Sequence, residues 1–186
     1  MTRWHPDPPD PGLAAYLEAR MITVLGIDPG GTAGFLLASW EPGALRCSWA
    51  RAYQCDGDSA SGLLTMLLTL ADLALTGSGI TAVQIEAFDD RPRQHGLHGT
   101  SPSRTSAQVS LLTAGCDGLG VPYFTRRASE VKNWAADARL SAAGLLDVTA
   151  GMPRHARDAG RHCLYCAVRN CGVPDPAGRR RSDVPG

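Results

Sequence analysis

Two carboxylates stand at the ends of apolar segments that are far apart in the sequence. Asp28 follows Val24–Ile27, and Glu86 follows Val83–Ile85. A carboxylate at the end of a buried strand is costly unless a positive charge lies beside it, and a metal ion is the simplest such charge. The glycine-rich turn Pro29–Gly31 would let a bulky anion approach the backbone. These residues indicate metal-assisted phosphate chemistry.

A predicted helix at about 154–170 carries further candidate ligands. At 100° per residue, positions three and seven apart share a face, so His155, Asp158 and His162 lie on the same side. Ala159 shares that face and leaves room for close packing on a sheet. A helix with an acid and imidazoles on its inner face is a poor core helix but a suitable wall for a metal site.

The combined donor set is rich in oxygen. Asp28, Glu86, Asp158 and His155 would suit Mg²⁺, or Mn²⁺ as its substitute, better than zinc. We expect two ions per site, with Asp28 bridging both, Glu86 holding one, and Asp158 with His155 holding the other. In an alternative role, His155 orients or deprotonates the attacking water.

The elements that position these residues predict an α/β fold. Three strands joined by short turns, at about 22–28, 33–40 and 45–54, are typical of an antiparallel meander. Further strands are expected at about 80–86 and 121–125, and helices at about 58–76, 106–119, 128–135, 141–148 and 154–170. This order predicts a mixed five-stranded sheet with helices on both faces.

The length of 186 residues favours one domain with tails. Residues 1–20, rich in Pro and Asp, are predicted to be a disordered arm. The folded part is expected over 21–171, followed by a disordered basic tail at 172–186. Residues 87–105 are predicted to form a long mobile loop, which in a compact domain is usually functional.

The formal net charge is +0, so no overall basic field indicates a nucleic-acid partner. The basic residues are clustered, and nearly all are Arg, which suits phosphate recognition but is also what a GC-rich coding sequence produces. Without a signal peptide or an apolar run long enough to span a bilayer, we expect a reduced cytoplasmic protein of a bacterial cell or phage-infected host, with no membrane partner.

Three cysteines near the C-terminus suggest a zinc site at first sight. Cys163 and Cys166 have the CxxC spacing, and Cys171 follows. The pair lies inside a predicted helix, however, and no second CxxC closes a tetrahedral site. We therefore expect core cysteines.

Four motifs resemble those of one nuclease family. They are Gly26-Ile-Asp-Pro-Gly30, Val83-Gln-Ile-Glu86, Ser129-Glu-Val-Lys132 and His155-x-x-Asp158-Ala. In order and spacing, over about 21–171, the chain resembles the RuvC family of Holliday junction resolvases, within the RNase H-like (retroviral integrase) superfamily. The resemblance implies a two-metal endonuclease that cuts branched DNA as a symmetric homodimer.

The resemblance also implies roles for individual residues. Asp28, Glu86, His155 and Asp158 would form the catalytic and metal set. The expected DNA contacts are Lys132 near the scissile phosphate, Phe88 close to the family's branch-point aromatic, and the arginines Arg91, Arg93, Arg104, Arg126 and Arg127. The loop at 89–105 and the segment at 134–152 depart from the usual pattern. The latter resembles short phage resolvases, which often cut flaps and replication forks as well as four-way junctions.

Other interpretations remain open at this point. Taken singly, Asp28 could be a turn residue, Glu86 a surface strand end and Lys132 a solvated lysine. His162 is expected to lie near DNA or to pair with an acid rather than to bind metal.

Three alternative functions also fit parts of the chain. Gly26–Gly34 resembles the phosphate hairpin of actin-like sugar kinases and ATPases, but the chain is too short for their two lobes. A YqgF-type RNA-processing nuclease would share the predicted fold. A metal-free junction-binding scaffold is disfavoured, because the acidic set would repel itself without cations.

Overall fold

The computed structural model describes residues 21–75, 79–87 and 102–178. The strands are β1 (Ile22–Asp28), β2 (Thr32–Trp40), β3 (Trp49–Asp56), β4 (Ile80–Ala87) and β5 (Tyr123–Arg127). The helices are α1 (Ala60–Leu75), α2 (Pro102–Leu119), α3 (Ala128–Trp134), α4 (Asp137–Ala142) and α5 (Arg154–Arg169), with a 3₁₀ turn at Asp147–Thr149. None of these helices combines the length and apolar character that crossing a bilayer requires.

The five strands form one mixed sheet in the order β3-β2-β1-β4-β5. The first three strands pair antiparallel as a meander, whereas β1, β4 and β5 run parallel to one another. The α/β class, the meander and the two further strands predicted from the sequence are therefore confirmed.

Helices cover both faces of the sheet, as predicted. On one face Leu25, Ile27 and Phe35 belong to a core completed by Met66 of α1 and Leu112 of α2. Side chains alternate along a strand, so the even-numbered residues of β1 face the other way. The core on that second face joins residues of β1 and β2 to α4 and α5, and includes Val24, Leu36, Trp40, Leu140 and Leu164.

Helix α5 lies unusually close to the sheet. A Cβ atom at Gly26 would stand 2.1 Å from the carbonyl oxygen of Ala159 and 2.5 Å from the amide nitrogen of Cys163. A Cβ at Gly34 would stand 2.1 Å from the carbonyl oxygen of His155. Two positions without side chains, on adjacent strands, therefore let the helix backbone rest on the sheet.

The predicted helix at 141–148 was wrong in its position. The chain forms α4 at 137–142 and then only the 3₁₀ turn, because Gly144 has a φ of +79° and ends the helix. The amide of Leu145 bonds to the carbonyl oxygen of Leu140 at 2.8 Å, which closes the helix in the manner of a Schellman motif.

Other predicted boundaries shift by a few residues. Strand β3 starts at Trp49 rather than near residue 45, and α2 starts at Pro102 rather than near residue 106. The predicted arm at 1–20, the loop residues 88–101 and residues 179–186 of the predicted tail lie outside the described residues.

The packed chain continues past the boundary predicted at residue 171. Val173 is buried, and its amide donates to the carbonyl oxygen of Ala167. Asp175 accepts two hydrogen bonds from the guanidinium of Arg139, at 3.1 and 3.3 Å. Residues 172–178 are therefore part of the folded unit rather than of a disordered tail.

Removing residues 172–178 is expected to destabilise the domain. A chain ending at residue 171 should lose about 2 kcal/mol in free energy of unfolding relative to one ending at 178, mainly through the loss of buried Val173. Urea unfolding of the two truncated chains measures this difference. Equal midpoints and slopes would show that the segment does not contribute to stability.

The cysteines are placed as the sequence analysis expected. Cys163 and Cys166 are fully buried on α5, and the Cys163 thiol donates to the carbonyl oxygen of Val24. The sulfur atoms of Cys166 and Cys171 are 4.0 Å apart, and all six cysteines are free. Cys163, Cys166 and Cys171 belong to the core beneath α5, whereas Cys116 lies in the core on the other face of the sheet.

Candidate active site

The two strand-end carboxylates lie at the same edge of the sheet. Strands β1 and β4 are parallel neighbours, with Gly26 opposite Gln84 and Ile27 opposite Ile85. The carboxyl ends of parallel strands meet at one edge, so Asp28 and Glu86 lie side by side. Both are even-numbered positions on the face that α5 covers.

Helix α5 begins directly above this edge. Gly34, which is opposite Asp28 in the β1–β2 pair, allows the first turn of the helix to reach the sheet. The amide nitrogen of Ala156 donates to Oε1 of Gln54 at 3.1 Å, which fixes that turn to β3. Asp158 and His162 are buried against the sheet, as the predicted helix face requires.

Each of the two histidines on α5 is paired with one of the strand-end carboxylates. Nδ1 of His155 is 2.8 Å from Oδ2 of Asp28. Nε2 of His162 is 2.9 Å from Oε2 of Glu86. The two contacts join residues separated by 127 and 76 positions in the chain. His162 is thus the partner of an acid, one of the two roles expected for it.

Cations surround Asp158, whose side chain is almost fully buried. Nζ of Lys132 is 3.0 Å from Oδ2 of Asp158 and 3.6 Å from Oε2 of Glu86. The Arg161 guanidinium donates a short hydrogen bond to Oδ1 of Asp158 and a second bond to Asp137. Lys132 therefore links two of the three acidic side chains, and Arg161 binds the other oxygen of Asp158.

Burial and mutual repulsion act on the carboxyl groups. Burial, and then the charge of Glu86, raise the pKa of Asp28 to about 6, against the opposing hydrogen bond to His155. Burial alone would raise the pKa of Glu86 too, but the hydrogen bond from His162 and the positive charges nearby lower it. Although burial opposes it, the hydrogen bond to Asp158 and the charge of Glu86 raise the pKa of Lys132, so it stays protonated.

The residues fit a hard divalent cation in chemical type. Asp28, Glu86 and Asp158 offer carboxylate oxygens, the ligand type that Mg²⁺ prefers, and the pKa of Asp28 is raised by burial and by the charge of Glu86. In their present positions, no three His, Cys, Asp or Glu side chains among the described residues are close enough to coordinate one ion. Lys132 and Arg161 occupy oxygens that would otherwise be available, so metal binding would require rearrangement of these ion pairs.

Comparisons with known proteins identify the fold. No protein-family model matches the sequence, and the curated proteins compared with it give no match. The structure matches RuvC of T. thermophilus in complex with a Holliday junction substrate, with a TM-score of 0.56 and 18% identity. It also matches a second Thermus thermophilus RuvC structure, with a TM-score of 0.57 and 16% identity. Both matches cover 80% of this chain and 96% of the RuvC chain.

The fold is that of RuvC. At this level of identity the likeness establishes the architecture, and the RNase H-like class predicted from the sequence is confirmed. In this chain the carboxyl ends of β1 and β4 lie under the start of α5, where the acidic side chains meet.

The candidate DNA-contacting residues are only partly described. Arg126 lies opposite Glu86 in the parallel β4–β5 pair, and its guanidinium is 4.0 Å from Glu130. Arg127 and Arg104 are exposed, the latter in the first turn of α2. Phe88, Arg91 and Arg93 lie outside the described residues. Among the candidates that the structure describes, Lys132 contacts the acidic cluster directly and Arg126 lies opposite Glu86 in the sheet.

Sequence analysis missed two residues that shape the site. Arg161 lies three positions after Asp158, and this helical spacing could have indicated the ion pair. Gln54, which fixes the first turn of α5, carries no recognisable signal, because its role depends on the register of an edge strand.

Proposed function

We propose that the chain is a structure-selective endonuclease that resolves Holliday junctions by two-metal phosphodiester hydrolysis. The main support is the convergence of Asp28, Glu86 and Asp158, from three separate elements, at one edge of a RuvC-type sheet. The repulsion among these carboxyl groups is the kind that divalent cations relieve. The substrate class follows the first RuvC match, which was solved with a Holliday junction substrate.

Asp28, Glu86, Asp158 and His155 would hold the ions, Mg²⁺ with Mn²⁺ as substitute. When bound, such ions stabilise charge on the attacking and leaving oxygens of an in-line displacement. The ligands would become available when Lys132 moves from the carboxylates toward a DNA phosphate.

In the alternative to metal binding, His155 acts on the attacking water. Its Nδ1 contacts Oδ2 of Asp28, and a carboxylate only accepts hydrogen bonds, so Nδ1 carries the proton. Nε2 is then the nitrogen left to take a proton from water. The side chain is 30% exposed, so substrate can reach it.

Basic residues around the cluster would hold the DNA backbone. Lys132 contacts the acidic cluster, Arg126 lies opposite Glu86 in the sheet, and Arg127 and Arg104 are exposed. The loop residues Arg91, Arg93 and Phe88 are proposed to extend this surface. Phosphate contacts position DNA without reading its sequence, so binding should depend strongly on salt. A four-way junction has two-fold symmetry, which a symmetric homodimer with two active sites would match.

A cleavage assay with several substrates tests the proposal. In Mg²⁺, the purified chain is expected to cut a synthetic four-way junction much faster than a linear duplex, with a flap and a fork as further branched substrates. EDTA should abolish the reaction. Structured RNA of similar size tests the alternative of an RNA-processing nuclease. Equal cutting of junction and duplex, or cutting of RNA alone, would contradict the proposal.

A further inference from the structure

His162 is the most deeply buried polar residue beside the acidic cluster. It is 0% exposed and lies on the inner face of α5, one turn beyond Asp158. The bond from its Nε2 to Oε2 of Glu86 is 2.9 Å long. A charged or polar side chain at such a depth requires a partner, and Glu86 is the partner it has.

The geometry determines which atom donates. The carboxylate of Glu86 can only accept, so Nε2 of His162 carries the proton. Nδ1 of His162 is buried and has no hydrogen-bond partner among the described residues. The imidazole thus makes one directed interaction, and that interaction is with Glu86.

The contact distinguishes the two oxygens of Glu86. Oε2 receives His162 and is also the oxygen nearest to Lys132, at 3.6 Å. Within the described part of the chain, no hydrogen bond or ion pair reaches Oε1. His162, which belongs to the core, holds Oε2 of Glu86. The Glu86 side chain is still 20% exposed, so part of its carboxylate is accessible from the site.

The two histidines of α5 are therefore not equivalent. His155 is 30% exposed beside Asp28 and can reach solvent and substrate. His162 cannot reach either, and it can influence chemistry only through the carboxylate that it contacts. Its burial also argues against the expectation that it could lie near DNA.

We propose that His162 is a positioning residue, which fixes the Glu86 carboxylate so that Oε1 is presented to a divalent cation. The inference rests on the proposed function, because it assumes that Glu86 binds metal. Hydrogen bonds that orient metal-binding carboxylates typically change metal affinity by about 10- to 100-fold when they are removed.

Mn²⁺ binding in the absence of DNA tests the proposal. The affinity of the wild-type chain is measured by calorimetry and by the electron paramagnetic resonance signal of free Mn²⁺. H162L replaces the imidazole by an apolar side chain of similar size, which cannot donate a hydrogen bond to Glu86. It is expected to weaken Mn²⁺ binding about 10- to 100-fold. H162Q retains an amide donor and should recover most of the affinity.

Two controls separate positioning from folding and from direct ligation. C163A changes the next buried residue of α5, which bonds to Val24 rather than to Glu86, and should leave Mn²⁺ affinity unchanged. In the E86A background, which has no side-chain oxygen at position 86, H162L should cause no further loss, because His162 is expected to act only through Glu86. Circular dichroism and thermal unfolding in EDTA verify that each variant is folded. If H162L does not fold, H162M, which also lacks a donor, replaces it in both backgrounds.

The outcomes are distinct. Equal Mn²⁺ affinity of wild type and H162L would overturn the positioning role while leaving junction cleavage by the wild type as support for the proposed function. A further loss of affinity for H162L in the E86A background would also overturn it, in favour of a histidine that binds metal directly. A wild-type chain that neither binds Mn²⁺ nor cuts a junction would overturn both proposals.

Discussion

Replacing Asp28 by Asn is expected to slow cleavage of a four-way junction by about a thousandfold or more, the scale of losing a group that stabilises the transition state. Asp28 is the carboxylate at the centre of the cluster: it contacts His155 and interacts with the charges of both Glu86 and Asp158. The variant should still bind the junction, because the basic residues are unchanged. Cleavage rate and binding affinity are measured on the same labelled junction.

The variant should also remain folded. The raised pKa of Asp28 means that burial and the charge of Glu86 disfavour its ionised form. A neutral Asn of the same shape removes that cost, so the unfolding temperature is not expected to fall. E41Q removes an exposed carboxylate just beyond the opposite end of β2 and should cleave at the wild-type rate. A D28N protein that cuts like E41Q would remove Asp28 from the mechanism.

Replacing Gly26 by Ala is expected to destabilise the domain by about 3 kcal/mol, at the upper end of the cost of overpacking a core. The new Cβ would lie 2.1 Å from the carbonyl oxygen of Ala159 and 2.5 Å from the amide of Cys163. Both are backbone atoms, so a side-chain rotation cannot relieve the clash, and α5 must move away from β1. Urea unfolding measures the loss of stability.

The consequence extends to the active site, because α5 carries His155, Asp158 and His162. G26A is therefore expected to lose cleavage activity even under conditions in which it is folded. G118A is the matched control: it lies in α2, nothing stands within 4 Å of its added Cβ, and Ala favours a helix over Gly by about 1 kcal/mol at most. If G26A were as stable as G118A, the close approach of α5 to the sheet would not be essential.

The limits of sequence analysis are visible in particular residues. The inner face of α5 was predictable because helical periodicity is local: positions 155, 158 and 162 share a face in any regular helix. The end of α4 was not, because the sequence pattern suggested a helix across Gly144, and the positive φ at that glycine ended it. The packing of Val173 and Asp175 was missed because a Pro- and Gly-rich composition indicates a flexible segment. Composition does not show the tertiary contacts that hold this segment in place.

The sequence by itself determined the number and type of the strands and the presence of acids at two strand ends and one helix face. These are properties of short segments, and their physical basis is the periodicity of side chains along a strand or a helix.

Only the tertiary structure decided which side chains meet. The pairs His155–Asp28 and His162–Glu86, and the contacts of Lys132 with two carboxylates, join elements that are distant in the chain. They depend on the strand order of the sheet and on how closely α5 packs against it. The absence of side chains at Gly26 and Gly34 sets this packing distance, and only the packed fold reveals that geometric condition.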